Sequence, residues 1–516
     1  MLIAMIRQIR SVCLTKQKDI WLFILVLCAN VCSAQYEYVF PRTEISSISG
    51  YLQPTNHPTI AIYSASAGTA RLSNLCGYDT TISFPANSMV TLNIPSKYGR
   101  LYNTEKENVN GCNFILHSNT YLQVTCYNIT PRSNGAYRVL EKSETSYSYN
   151  VAYFPFTINN GHKKCLDNSV RKDSLYDGIN TTIVAFENNT KITIINPYNT
   201  GFKTFSSGSR TILLQRGESF TFQPCAAEQK FPGLFGQFNL TFPGGISVFS
   251  VDSCKPVGVF NFQLLGYPLE TYIPDQPPNC DPYLDCVRPG FDGSNGCMAI
   301  QQLPDERLLN EYILVPNRMN RIQNPDINWR WYYRTSHYYI QTSVDNEIWL
   351  NNKRFVVPAD SFLCDTFVLP VHVRSAKPVH AFTVNMVPRD FTLKNTSLNY
   401  LSLGSWVQDI TYATTKYNKP DLKLPTPPNL ITKGVANCLL VYAFNSDTVN
   451  LNGKRFNLRF KDGRNFYDTI GARESSKLYS LYNASGLSAV YMSLVQTDKF
   501  YPAGGVHSLD PVPPVW

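Results

Sequence analysis

The stretch SCKPVGVFNF at 253–262 returns as SAKPVHAFTV at 375–384, setting Phe260 and Phe382 122 residues apart. Two fainter relatives, SNGAYRV (133–139) and LSAVYMSL (487–494), carry Tyr137 and Tyr491, so the four aromatic positions are separated by 123, 122 and 109 residues. Self-similarity at a fixed period constrains a fold more than any local propensity, because the chain must consist of repeated units. The 516 residues agree with a prior of roughly 100–200 residues per domain.

Further landmarks recur in order around each aromatic. IYSASAGTARL (62–72), IVAFENNTKITI (183–194), IQTSVDNEIWL (340–350) and LVYAFNSDTVNL (440–451) each set a polar turn between two apolar runs, the pattern of a hairpin. The third and fourth continue as LNNKRF (350–355) and LNGKRF (451–456), where Asn-Asn and Asn-Gly suit a tight two-residue turn. Units open with YEYVFP (36–41), YNVAYFP (149–155) and NEYILVP (310–316), with QDITYATT (408–415) as a looser fourth. NSMVTLNIP (87–95), GESFTFQP (217–224) and DSFLCDTFVLP (360–370) lie between turn and closing strand. Helical periodicity is weak throughout.

The expected fold is therefore all-β: tandem antiparallel sandwich-like modules, about four repeats of 110–120 residues, with a β-propeller as the alternative. The expected boundaries are 35–142, 143–273, 307–390 and 391–498, with a Cys/Pro-rich connection at 274–306 and a Pro-rich tail at 499–516. In the closing strands Val257, Val259 and Phe260, or Val379, Ala381 and Phe382, are expected to face a core. Pro256 and Pro378 would begin those strands, where no ladder donor is lost.

Residues 1–34 read as an export signal, with Arg7, Arg10, Lys16 and Lys18 before an apolar run from Ile20 to Ala29 and small residues Cys32 and Ala34 before Gln35. The run falls short of the roughly 20 residues a membrane span needs. A secreted protein without stable membrane insertion is expected. Removing four basic residues and one acid from a net charge of +9 leaves about +6, with no basic stripe to suit nucleic acid.

Eleven cysteines follow the leader: Cys76, Cys112, Cys126, Cys165, Cys225, Cys254, Cys280, Cys286, Cys297, Cys364 and Cys438. In an oxidising compartment they are disulfide candidates, and the odd number leaves one for a partner chain or as a free thiol. Sequons at Asn128, Asn180, Asn188, Asn239, Asn395 and Asn483 point to the same compartment.

Enzyme signatures are missing. The chain has no Gly-x-Ser-x-Gly elbow, His-Glu-x-x-His helix, Walker loop or Gly-x-Gly-x-x-Gly, and its seven histidines are scattered. No catalytic residue, metal or cofactor is assigned. In the segment 274–306, Asp281, Asp285 and Asp292 miss the calcium-loop spacing, and Cys280, Cys286 and Cys297 miss that of a zinc finger. A disulfide-stapled surface loop is the simpler reading. NWRWYYR (328–334) is the candidate ligand contact: Trp329, Arg330, Trp331 and Tyr332 could stack on sugars or anchor an interface, or simply form a half-buried strand.

The order NNTKITI, RGESFTF, SCKPVGVF, a cysteine before QQLP, then NEYILVP resembles the N-terminal domain of IgG Fc-binding proteins, over about 58–390 and more faintly to 495. The resemblance implies a non-enzymatic extracellular binding or scaffold protein whose partners are glycoproteins of mucus, matrix or host-defence surfaces. It supplies no catalytic residue and no antibody contact. A carbohydrate-binding protein using the aromatic strand, and a secreted glycoside hydrolase or lyase on a propeller, are the alternatives.

Overall fold

The computed structural model describes residues 36–41, 59–95, 98, 109–129, 134–152, 156–157, 178–196, 208–222, 228–230, 239–241, 247–250, 255–264, 297–316, 327–328, 336–386, 392–393, 408–412, 414–415, 419–425, 437–471, 478–496 and 502–508. Among the described residues every strand pair is antiparallel, and there are two short 3-10 turns but no α-helix.

The first nine strands are β1 (Tyr36–Phe40), β2 (Thr59–Ser64), β3 (Gly68–Asn74), β4 (Asp79–Phe84), β5 (Ser88–Asn93), β6 (Val109–Asn110), β7 (Phe114–Ser118), β8 (Gln123–Ile129) and β9 (Asn134–Val139). They form an outer sheet β1-β7-β3-β4 and an inner sheet β5-β2-β8-β9. Tyr38, Phe40, Leu72, Phe84, Phe114 and Leu116 of the first meet Ile60, Ile62, Val124 and Val139 of the second in one buried core, so the pair is a sandwich.

The next strands are β10 (Ser148–Asn150), β11 (Phe156–Thr157), β12 (Gly178–Ala185), β13 (Thr190–Asn196), β14 (Gly208–Leu214), β15 (Ser219–Phe222), β16 (Glu228–Lys230), β17 (Asn239–Thr241), β18 (Ser247–Ser250), β19 (Val257–Leu264) and β20 (Cys297–Gln301). The outer sheet is β10-β18-β13-β14 and the inner one β20-β19-β12-β15-β6, while β11-β17-β16 make a small third sheet. The short strand β6 comes from the first pair. It adds to the edge of the second.

A third group holds β21 (Leu309–Leu314), β22 (Ile327–Asn328), β23 (Ser336–Thr342), β24 (Asn346–Leu350), β25 (Lys353–Val357), β26 (Ser361–Phe367), β27 (Val371–Met386), β28 (Thr392–Leu393), β29 (Gln408–Tyr412) and β30 (Thr414–Thr415). The fourth holds β31 (Lys419–Pro425), β32 (Asn437–Ala443), β33 (Thr448–Leu451), β34 (Lys454–Asn457), β35 (Phe460–Asp462), β36 (Asn465–Gly471), β37 (Leu478–Gln496) and β38 (Pro502–Ser508). Here one long strand serves both sheets: β27 pairs with β24 and β21 through its first half and with β23 and β29 through its second. Strand β37 does the same with β31 and β33, then β32 and β38. Pro256 stands just before its strand as expected, but Pro378 lies inside β27, at the irregularity where the strand changes sheets.

The last strands of the four groups close the molecule. Strand β9 packs beside β20 and β38, and β29 packs beside the same two, so the groups repeat around a ring of four strands. Sandwich packing within a pair thus coexists with the radial repetition of the propeller alternative. All four ring strands depart from the sequence reading, β38 by forming within the stretch 499–516 expected to be a tail. β9 carries Tyr137 but is an extra strand after the closing strand β8; β20 ends the 274–306 connection as regular sheet; and β29, within QDITYATT, completes the third group, while β31 opens the fourth.

The polar turns between apolar runs also differ from expectation. Strands β2 and β3, or β12 and β13, do not pair with each other; the turn carries the chain from the inner sheet to the outer. A two-residue hairpin turn of the Asn-Gly kind needs two successive positive φ angles, and these turns hold at most one left-handed residue: Asn189 (φ 56) and Asn445 (φ 53) in the second and fourth, and none in the first and third. The true tight hairpins are Asn351–Asn352 (φ 45 and 73) and Asn452–Gly453 (φ 49 and 80).

The repeated closing strand has a two-sided role. Val257 and Val259 enter the second core, whereas Phe260, on the opposite face, enters the first and meets Tyr137 edge-on with ring centroids 5.7 Å apart. Likewise Val379 and Ala381 enter the third core and Phe382 the second. Each phenylalanine plugs the neighbouring sandwich. An opening-strand tyrosine fixes the start of each closing strand: the hydroxyls of Tyr38, Tyr149 and Tyr312 donate to the carbonyls of Leu122, Val257 and Val379 at 2.7, 2.7 and 2.8 Å. Burial raises all three phenols above their usual pKa.

Candidate functional site

With both faces of the inner sheets occupied, a macromolecular partner has the outer sheets to contact. Their wet faces differ. The first carries charge pairs such as Arg71–Asp79, and the second carries Thr193 beside Thr211 with Ile195 and Leu213 exposed.

In the third outer sheet, β24 buries Asn346, Ile348 and Leu350, so alternation turns Glu347 and Trp349 to the wet side. The Asn351–Asn352 turn returns the chain with Arg354 opposite Trp349, and β27 places Arg374 on the other flank. Arg374 holds its guanidinium carbon 5.0 Å from the centre of the Trp349 ring, a cation–π contact. Glu347 pairs with Arg354 and raises its pKa further above the usual range. Glu311 stands opposite Arg374, completing the row Arg354, Trp349, Arg374, Glu311, and Val356 is exposed beside it.

The fourth outer sheet repeats this row in the same register with Arg455, Asn450, Tyr482 and Asp421. Tyr482 is 50% exposed. The third outer sheet is tied to the fourth group at its edge strand β35, where His372 Nε2 meets Asp462 Oδ2 at 2.8 Å, an oxygen that also accepts from the Tyr442 hydroxyl at 2.7 Å. Arg residues and large aromatics held rigidly on a sheet are the residue types that dominate interface energetics. Sequence reasoning passed over Trp349, although NEIWL puts it in phase with Glu347 and out of phase with Ile348 and Leu350.

Histidines elsewhere serve the junctions. His117 Nε2 lies 2.6 Å from Arg216 Nη2, whose guanidinium also binds Glu37; burial lowers the His117 pKa and the Arg216 charge adds to the effect. His380 Nε2 donates to the Asn150 carbonyl at 2.8 Å across the second and third groups. The QQLP glutamines are structural: Gln301 accepts from the Leu140 amide at 2.7 Å, and Gln302 brackets both amide and carbonyl of Ala152. No cluster of His, Cys, Asp and Glu suited to a metal ion is found among the described residues.

The sequence-predicted contacts Trp329, Arg330, Trp331 and Tyr332 lie outside the described residues, as do Cys165, Cys225, Cys254, Cys280, Cys286 and Asn395. Cys76 and Cys112 form a disulfide. Cys126 is a buried free thiol, pushed up to about 12 by burial. Cys297, Cys364 and Cys438 lie in β20, β26 and β32.

Asn128, Asn180 and Asn239 lie in strands β8, β12 and β17. Asn188 is exposed on the turn after β12 and uses only its Oδ1, accepting from the Arg216 amide at 3.1 Å. Asn483 departs from the solvent-facing position expected of a sequon. It is 2% exposed, and its Nδ2, the atom a glycan would occupy, donates to the Thr448 carbonyl at 2.8 Å. Glycopeptide mass spectrometry of the protein expressed in animal cells is expected to find Asn188 occupied and Asn483 bare; an occupied Asn483 would contradict its burial.

A family model described as IgGFc binding protein matches residues 135–429, more than half of the chain. The chain belongs to the IgGFc-binding family. The IgGFc-binding match runs from β9 past the end of β31 and includes the Trp349 row. This is a family of extracellular binding proteins, and no helix among the described residues is long and apolar enough to cross a membrane. No curated protein matches the chain. Among solved structures, the pilus adhesin SpaC from Lactobacillus rhamnosus GG aligns at 8% identity and a TM-score of 0.11, over 88% of this chain and 55% of the adhesin, too weak a likeness to support any argument.

Proposed function

We propose that this IgGFc-binding family member is a secreted, non-enzymatic protein that binds other extracellular glycoproteins, with the wet faces of the third and fourth outer sheets as the contact surface. The observation that carries the reading is Trp349, held between Arg354 and Arg374 on a face anchored from behind by a buried core. A partner surface that is both apolar and anionic complements it. The ring of sandwiches keeps the contact surface rigid, so little conformational entropy is lost on binding.

The test is retention of purified, secreted glycoproteins, native and enzymatically deglycosylated, by the full chain and by Trp349→Ala. Loss of a hot-spot aromatic costs about 2 kcal/mol or more, roughly a 30-fold weakening, without change in folding. Retention that survives deglycosylation and falls in the variant supports the reading. Retention lost with the sugars instead favours carbohydrate stacking on Trp349, for which one ring face is already covered by Arg374. Hydrolysis of a polysaccharide, or equal retention by both chains, would overturn it.

A further inference from the structure

The Cys76–Cys112 disulfide sits at an unusual place in the topology. Cys112 is separated by one residue from the strand β6 that leaves the first pair to extend the inner sheet of the second, with Asn110 opposite Ser219 and Val109 opposite Phe220. The arm is stitched down by a few contacts. Asn113 Nδ2 donates to the Gly217 carbonyl at 2.8 Å and the Asn110 carbonyl at 3.1 Å, and Asn110 Oδ1 accepts from the Cys112 amide at 2.9 Å. On the other side, Asn74 Oδ1 accepts from the amides of Cys76 and Tyr78 at 3.0 and 2.9 Å, which presents Cys76 to solvent.

The seat of the arm is built to fit it. Gly217 has a φ of 77°, and a Cβ there would come within 2.8 Å of Ile115. Leu75 and Val109, on the two sides of the disulfide, are exposed apolar residues. A two-residue strand contributes too few ladder bonds to hold itself on a sheet edge. Beside those few hydrogen bonds, the covalent tie to Cys76 restrains the chain where the arm ends, and an exposed sulfur is open to a thiolate.

We propose that Cys76–Cys112 is a redox-sensitive clasp: its reduction releases β6 from β15 and bares the edge of the second inner sheet. A dithiol thiolate attacks Sγ of Cys76 and expels the Cys112 thiolate, which takes a proton. The second dithiol sulfur then displaces Cys76, leaving two protein thiols and a cyclic oxidised dithiol. The freed β15 edge presents backbone donors and acceptors of the kind that take an added strand.

Graded dithiothreitol is applied to the full chain, with alkylation and mass spectrometry to follow Cys76 and Cys112 and hydrogen exchange to follow peptides covering 217–222 and 109–113. Exchange in both peptides is expected to rise about tenfold or more in step with alkylation of the two cysteines, while peptides in β23 and β24 keep their protection. The double variant Cys76→Ser/Cys112→Ser is expected to show fast exchange there without reductant and no further response to it. Alkylated cysteines with unchanged exchange at 217–222 would make the disulfide a passive brace. Simultaneous loss of protection in β23 and β24 would mean that reduction simply unfolds the chain. Either overturns the proposal, and graded reduction of the native chain decides even if the double variant is not secreted.

Discussion

Phe260→Ala is expected to lower stability by about 3–5 kcal/mol, the cost of emptying a fully buried phenylalanine site, and to loosen two sandwiches at once. The side chain is 0% exposed. Its strand belongs to the second pair and its ring to the first core, against Tyr137. The cavity would therefore open at the junction, where Val184 and Phe186 from the second pair also enter the first core. Val259→Ala provides the contrast, because Val259 packs within the second core alone. Denaturant unfolding, read together with hydrogen exchange in β2 and β13, separates the two cases. Phe260→Ala should expose both strands earlier and reduce the yield of folded protein, whereas Val259→Ala should act first on β13. A loss confined to one sandwich in both variants would remove the junction role from the repeated phenylalanine.

That role explains both what could be read from the sequence and what could not. Alternating runs such as NEIWL and TARL mark strands with one wet face, and the structure has them in outer sheets. Runs such as VGVF and TTIVAF, apolar on successive residues, belong to inner strands buried on both sides. Their continuity was legible as burial but gave no hint of which core each residue enters. The ring strands were hardest. NGAYRV, CMAIQ, QDITY and PAGGVHS hold few bulky aliphatics and do not alternate, since each lies beside other strands at the centre of the ring. Periodicity alone therefore assigned them to a closing strand, a connecting loop, the next module's opening and a tail. The inner-to-outer turns that read as hairpins share that origin: apolar–polar–apolar patterning reports a reversal of direction, while at Asn189 a single positive φ accompanies the passage to the facing sheet. Trp349 was legible by phase. The contact proposed at 328–334 falls where the structure describes only Asn328.

Acidification is expected to weaken the junction between the second and third groups through His380. This imidazole is 3% exposed, stacks on Phe382 and donates to the Asn150 carbonyl. Burial lowers its pKa from 6.5 to about 4, against the pull of the Asp305 carboxylate, which itself accepts from the Asn150 amide and the Ser148 hydroxyl. In the unfolded chain the same ring takes a proton near 6.5. Between these values the unfolded state binds more protons than the folded one, so stability falls as pH falls. The contribution is complete above about 6.5 and is lost by about pH 4, amounting to about 3 kcal/mol. His380→Gln can still donate to the Asn150 carbonyl but cannot titrate. It should cost little at pH 7 and flatten the dependence of unfolding free energy on pH between about 4 and 6.5. An unchanged slope in the variant would shift the acid sensitivity to other groups, His117 first, because burial lowers its pKa as well and it lies at the junction of the first and second pairs.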